Sequence, residues 1–86
     1  TGLGMAIAAD KVAGIRAVSV RDTTFARLAR EHNDANIVCL SGRFVSLMDN
    51  YAIVETFLTT QHAGGRHTDR VAKIMREDDA AFLGVE

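Results

Sequence analysis

The sequence predicts an α/β fold in which parallel strands alternate with helices. Three observations carry this reading. Short β-branched or apolar runs at residues 15–20 and 36–40 flank a stretch of helical period. Glycines fall at the ends of the patterned segments, as at Gly14, Gly42, Gly64 and Gly65. No internal repeat, low-complexity run or proline-rich linker divides the chain, so one domain at most is present.

In chain order, residues 5–11 are good helix formers and predict a short helix that ends before Gly14. Residues 15–20 predict a strand, and Asp22 after it is a suitable N-cap. Phe25, Leu28 and Ala29 give the second helix its apolar stripe, and Asn33 suits the left-handed residue that closes a helix, so this one ends at His32-Asn33. Residues 36–40, a continuous apolar run, predict a strand buried on both faces, the kind found in parallel sheets. Leu47, Tyr51, Val54 and Leu58 recur at helical spacing, and Met48, Tyr51, Met75 and the phenylalanines read as stripe and core residues. After the break at Ala63-Gly64-Gly65 a last helix covers residues 66–75, and residues 77–86 carry little pattern. The strand–helix–strand connection should be a right-handed crossover. Two parallel strands cannot by themselves cover their faces and edges, so further strands are expected upstream of Thr1. The start on Thr rather than Met carries the same expectation, that residues 1–86 are part of something longer.

Composition narrows the function classes. Of 86 residues 48% are hydrophobic, enough for a modest core. The formal net charge of −1 lacks the basic excess that follows a nucleic-acid backbone. The apolar runs are far shorter than the roughly 20 residues of a membrane-spanning helix, and no signal segment opens the chain. A soluble, cytoplasmic protein is expected, with no nucleic acid or membrane partner. The single cysteine, Cys39, cannot form an internal disulfide, which suits a reducing compartment, and within an apolar strand it reads as a core residue rather than a nucleophile.

Several residues carry candidate chemistry. Thr1-Gly2-Leu3-Gly4 before a helix places backbone N–H groups where an anion would be at home, although such turns also serve as plain tight connections. The loop has neither the GK[ST] of a Walker A motif nor a third spaced glycine, so a nucleotide is a poor fit. Arg66 and Arg70, four apart on a helix, share a face and suit one phosphate; the alternative is a solvated face with Asp69 and Lys73 as partners. His32 at a helix end has the chemistry of an acid or base, with Asn33 beside it as an oxyanion donor, or the two are a surface histidine and a cap. Arg43 follows the second strand at its C-terminal end, the edge where open α/β sheets bind ligands, or is a surface charge. His62 and His67 lack a convincing metal-ligand spacing, and no metal site is assigned.

Thr1-Gly2-Leu3-Gly4-Met5-Ala6-Ile7-Ala8-Ala9-Asp10-Lys11, Gly14-Ile15-Arg16-Ala17, Ala29-Arg30-Glu31-His32-Asn33-Asp34-Ala35-Asn36 and Gly64-Gly65-Arg66-His67-Thr68-Asp69-Arg70-Val71 form an ordered set. That set resembles ribose-5-phosphate isomerase B from Thr1 to about Ile74. The resemblance implies a Rossmann-like three-layer α/β/α sandwich with a parallel sheet, of which residues 1–86 would be the C-terminal portion of a single domain, its N-terminal strands absent. It also implies interconversion of ribose 5-phosphate and ribulose 5-phosphate through an enediolate, without metal or cofactor. Thr1 would contact the substrate near the base, and Gly2, Leu3 and Gly4 would form the anion hole. His32 would open the furanose ring, Asn33 would contact the sugar, Arg66 and Arg70 would hold the phosphate, and Arg43 would add a further basic position. The resemblance implies a homodimer, with a tetramer as the alternative, in which His32 and Asn33 serve the partner's site. The family's Asp-His pair and catalytic cysteine precede the position of Thr1, so the base is not Cys39. Met5 stands where another branch carries a glutamate base, which points to the cysteine branch. The 86 residues alone are expected to be inactive. Other readings are an isomerase of galactose 6-phosphate, allose 6-phosphate or a tetrose phosphate, and a non-catalytic phosphosugar-binding fragment.

Overall fold

Strands β1 (Ala17–Ser19) and β2 (Ile37–Cys39) pair in parallel, with Val18 opposite Val38 at the centre of the register. They belong to a computed structural model that describes residues 1–82, with side chains as far as Asp78. Both strands are shorter than the apolar runs that predict them. The ladder starts where the Arg16 carbonyl accepts from the Asn36 and Ile37 N–H groups, and its pairing extends to Ser19 and Cys39. Four helices accompany them: α1 (Leu3–Ala9), α2 (Thr23–Asn33), α3 (Leu47–Thr59) and α4 (Arg66–Phe82). The expected α/β order with a parallel sheet is therefore present among the described residues.

The connection from β1 through α2 to β2 sets the polarity of the molecule. Asp22 caps α2 as expected, its Oδ1 accepting the Phe25 N–H at 2.8 Å. The other end closes on Asp34, not Asn33: Asp34 adopts the left-handed conformation (φ 47°) while Asn33 remains the last helical residue. Asp34 is held there by its contacts with Arg16 and Arg30. One residue's shift matters, because it keeps His32 and Asn33 on the helix.

The core lies where α2 and α3 meet the strands. Val20, Ala26 and Ile53 form one buried cluster and Ala29, Ala35 and Phe57 a second, both packed on Val18 and Val38. Alanine at 26 and 29 allows α2 to approach the sheet closely. The stripe expected on α2 is thereby corrected: Phe25 is exposed and Leu28 only half-buried. On α3 the expected face is likewise the wrong one. Leu47, Tyr51 and Leu58 are exposed and Val54 is half-buried, whereas Asn50, Ile53 and Phe57 are the buried residues. Apolar residues surround α3, so spacing alone does not identify the inner side. Met48 and Phe44 are also exposed rather than core, Met75 is half-buried, and the side chain of Phe82 lies outside the described residues. Strand β2 and its Cys39 are half-buried, not buried on both faces.

Helix α1 begins earlier than expected, at Leu3, and ends at Ala9. Helix α4 runs past Met75 to Phe82, so part of the 77–86 segment is helical; residues 83–86 lie outside the described range. Arg16 donates to the Met75 sulfur and the Gly14 N–H to Asp78, which hold α4 against the start of β1.

Candidate active site

The C-terminal edge of the strands carries the glycine loop. Gly2 is left-handed (φ 84°), and a Cβ there would come within 2.9 Å of the Leu40 carbonyl oxygen and 3.0 Å of Ser19 Oγ. A residue without a side chain is thus what lets the loop lie on the strand ends. Thr1 Oγ1 accepts the Leu3 N–H at 3.3 Å and the Thr1 carbonyl accepts from Ser19 Oγ at 3.2 Å, fixing the loop from both sides. Because the helix begins at Leu3, Gly4 is already in its first turn, with open space around its Cα. The N–H groups of Gly4 and Met5 have no partner within the helix.

A cavity of about 200 Å³ opens beside the loop, lined by Thr1, Leu3, Ser19, Arg21, Ser41 and Phe44. The turn after β2 is braced from below: Ser41 Oγ accepts the Phe44 N–H, and buried Asn50 of α3 donates to the Ser41 carbonyl. Arg21 and Arg43 both lie against the Phe44 ring, 5.9 and 5.7 Å from its centroid. Arg21 lines this cavity, while Arg43 reaches it only through its contact with the lining residue Phe44.

His32 and Asn33 are at the opposite edge. Helix α2 starts at the C-terminal end of β1 and ends before the N-terminal end of β2, so its 11 residues, about 16 Å of helix, run from the loop's edge to theirs. Arg30 fastens this end, donating to the Thr60 and Ala35 carbonyls and lying over Phe57. The Glu31 carbonyl accepts the Ala63 N–H at 3.0 Å and faces His62 Nδ1 at 2.9 Å, which makes Nδ1 the protonated nitrogen of that ring. The paired left-handed glycines, Gly64 and Gly65 (φ 73° and 59°), then turn the chain into α4.

That turn brings His67 onto His32. Their rings stack at 4.1 Å between centroids and 13° between planes. His67 is buried and its Nδ1 has no hydrogen-bond partner. Burial, then the neighbouring His32, Arg66, Arg70 and His62, holds His67 below the ordinary histidine value of 6.5. Arg66 and Arg70 are exposed and, among the described residues, neither pairs with Asp69 or any other carboxylate. Two unpaired guanidiniums in the first turns of one helix, where the dipole is also positive, are electrostatically unfavourable until an anion arrives. Asn33 is exposed and lines a separate cavity of about 390 Å³ with Arg16, Ile74 and Asp78 among its walls.

The candidate residues thus form two groups: Thr1, Gly2, Leu3, Gly4 and Arg43 at one edge, His32, Arg66 and Arg70 at the other, with Asn33 beside the second. Sequence reasoning gives Arg21 no role and reads His67 only as a rejected metal ligand and Phe44 as a core residue. His67 stands 100° around α4 from Arg66, so it faces α2 while the arginines face outward; helical geometry was the available signal. Among the described residues no group of three or more His, Cys, Asp or Glu is placed to hold a metal ion, and no helix is long and apolar enough to cross a membrane.

Residues 1–74 match the model of the ribose/galactose isomerase family. The chain is 46% identical over 74 residues to ribose-5-phosphate isomerase B of Escherichia coli, covering 86% of this chain and 50% of that protein. Among solved structures it is similar to ribose-5-phosphate isomerase B of Clostridium thermocellum, at 48% identity and a TM-score of 0.91 over 94% of this chain and 55% of that one. It is also similar to the Mycoplasma genitalium enzyme with bound ribulose-5-phosphate, at 46% identity and a TM-score of 0.89 over 92% and 52%. The chain spans about half the length of the curated relatives it matches.

Proposed function

The chain belongs to the ribose/galactose isomerase family, and on that premise we propose that the protein carrying it interconverts ribose 5-phosphate and ribulose 5-phosphate through an enediolate. The observation that carries this reading is the unpaired Arg66–Arg70 couple beside the His32–His67 stack. It combines an anion grip with an acid–base group, as a phosphosugar whose ring must open requires. In this reading Arg66 and Arg70 hold the phosphate, His32 moves the proton that opens the ring, and Asn33 contacts the sugar. Thr1, Gly2, Leu3 and Gly4 face the developing enediolate, and Arg43 flanks the substrate.

Helix α2, about 16 Å long, lies between the edges that carry the two groups. That supports a site assembled from two copies, the glycine loop of one meeting the histidine–arginine cluster of its partner in a homodimer. The base is a cysteine preceding the position of Thr1, in a single domain of which residues 1–86 are the C-terminal portion; the protein works in the cytoplasm.

A coupled isomerase assay on the full-length protein tests this. Turnover of ribose 5-phosphate, lost in the Arg66→Ala/Arg70→Ala variant, supports it; absence of turnover, or full activity in that variant, removes it. The family description also includes galactose isomerases, so galactose 6-phosphate in the same assay distinguishes the two substrate classes.

A further inference from the structure

We propose that His67 is the positioning residue for His32: its buried ring is the platform that fixes the plane of the His32 imidazole and leaves His32 as the member of the pair that takes and gives the proton. This rests on the reading of His32 as the ring-opening residue.

The geometry has three parts. The rings are nearly parallel at 4.1 Å, so His32 has a flat surface against one face and its imidazole plane is set by the contact. His67 is seated in the first turn of α4, its backbone N–H bonded to the Gly64 carbonyl at 3.2 Å, and is buried while His32 is only half-buried. Its Nδ1 has no acceptor within reach, so a doubly protonated ring would bury an N–H with nothing to receive it.

The surrounding charges act in the same direction. From α2 the stack is faced by His32 itself, while Glu31 is engaged by Arg27 at 3.1 Å. His62 comes from the preceding loop, with its Nδ1 at the Glu31 carbonyl. On α4 itself Arg66 and Arg70 flank His67, and Asp69 is exposed and pairs with neither. Two imidazolium rings in face contact amid two guanidiniums would repel strongly, which opposes charging both rings at once.

The substrates themselves separate positioning from mere support. Ribose 5-phosphate closes a furanose ring, whereas ribulose 5-phosphate has its C5 oxygen esterified and stays open. A defect in ring opening therefore slows the reaction from the aldose and largely spares the reaction from the ketose, whose aldose product cyclises in solution. In the full-length protein, His67→Ala is expected to lower kcat with ribose 5-phosphate by about tenfold, with less than about a twofold change from ribulose 5-phosphate. His67→Phe, which restores a flat platform without a titrating nitrogen, should recover most of the loss. Equal loss in both directions, or none in either, overturns the proposal. If the wild-type protein turns over neither sugar, the isomerase reading fails on its own; an imidazole NMR titration of His32 then decides the coupling, and a titration left unchanged by His67→Phe overturns it.

Discussion

The two edges of the sheet are built from different materials. At the C-terminal edge the working surface is mostly backbone: Gly2 lies against the Leu40 carbonyl and Ser19 Oγ, and the first-turn N–H groups of α1 open beside a cavity of about 200 Å³. At the N-terminal edge it is side chains, His32, His67, Arg66 and Arg70, held by a backbone that Arg30 and the Glu31 carbonyl secure. A backbone site depends on close approach, so its residues are bound up with folding. The exposed members of a side-chain site, here Arg66 and Arg70, project outward, so they can change with little effect on the fold.

That contrast is open to direct attack. The largest effect is expected at the exposed arginines: Arg66→Ala/Arg70→Ala should lower kcat/KM about 10³-fold through KM, since each charged contact to a phosphate contributes about 2 kcal/mol. The urea midpoint should hardly move, and a large shift there would break the distinction. Gly2→Ala is the converse experiment. It places a Cβ within 2.9 Å of a backbone oxygen at a left-handed residue and should destabilise the protein by about 3 kcal/mol in urea titration.

A smaller effect sharpens the comparison through pH. His67 is held below 6.5 in the folded protein, so the unfolded chain binds more protons in the window beneath that value. Its contribution to stability is complete above 6.5 and is lost as pH falls from there through the folded value. Urea midpoints measured from pH 7.5 downward should decline in the wild type and decline less in His67→Phe. Identical slopes would contradict the assignment of a neutral His67.

Much of this architecture was legible in the sequence because it depends on local chemistry. Asp22 announces the start of α2, the glycines announce the turns, and the two strands follow from their apolar runs. The ordered motifs also point to the family. What escaped depends on tertiary contact. Asp34 rather than Asn33 takes the left-handed position where Arg16, 18 residues upstream, joins Arg30 of α2 in holding it. The buried side of α3 is Asn50, Ile53 and Phe57 because α2 lies there, on a helix whose exposed face, with Leu47, Tyr51 and Leu58, is also apolar. At the candidate site the residue types were readable one by one, and the resemblance implied that His32 and Asn33 serve a partner's site, but the structural basis of that division between two edges was not legible. The division follows from α2 running the length of the sheet between Asp22 and Asp34.

Mixing two disabled proteins tests that division most directly. One carries Thr1→Ala/Arg43→Ala at the loop edge, the other Arg66→Ala/Arg70→Ala at the cluster. If each site draws one edge from each copy, a mixed dimer holds one site with all four changes and one with none, so random re-association of equal amounts should restore about a quarter of wild-type activity. Mixtures no more active than the two variants alone would place both groups of residues in the service of one chain and contradict the assignment.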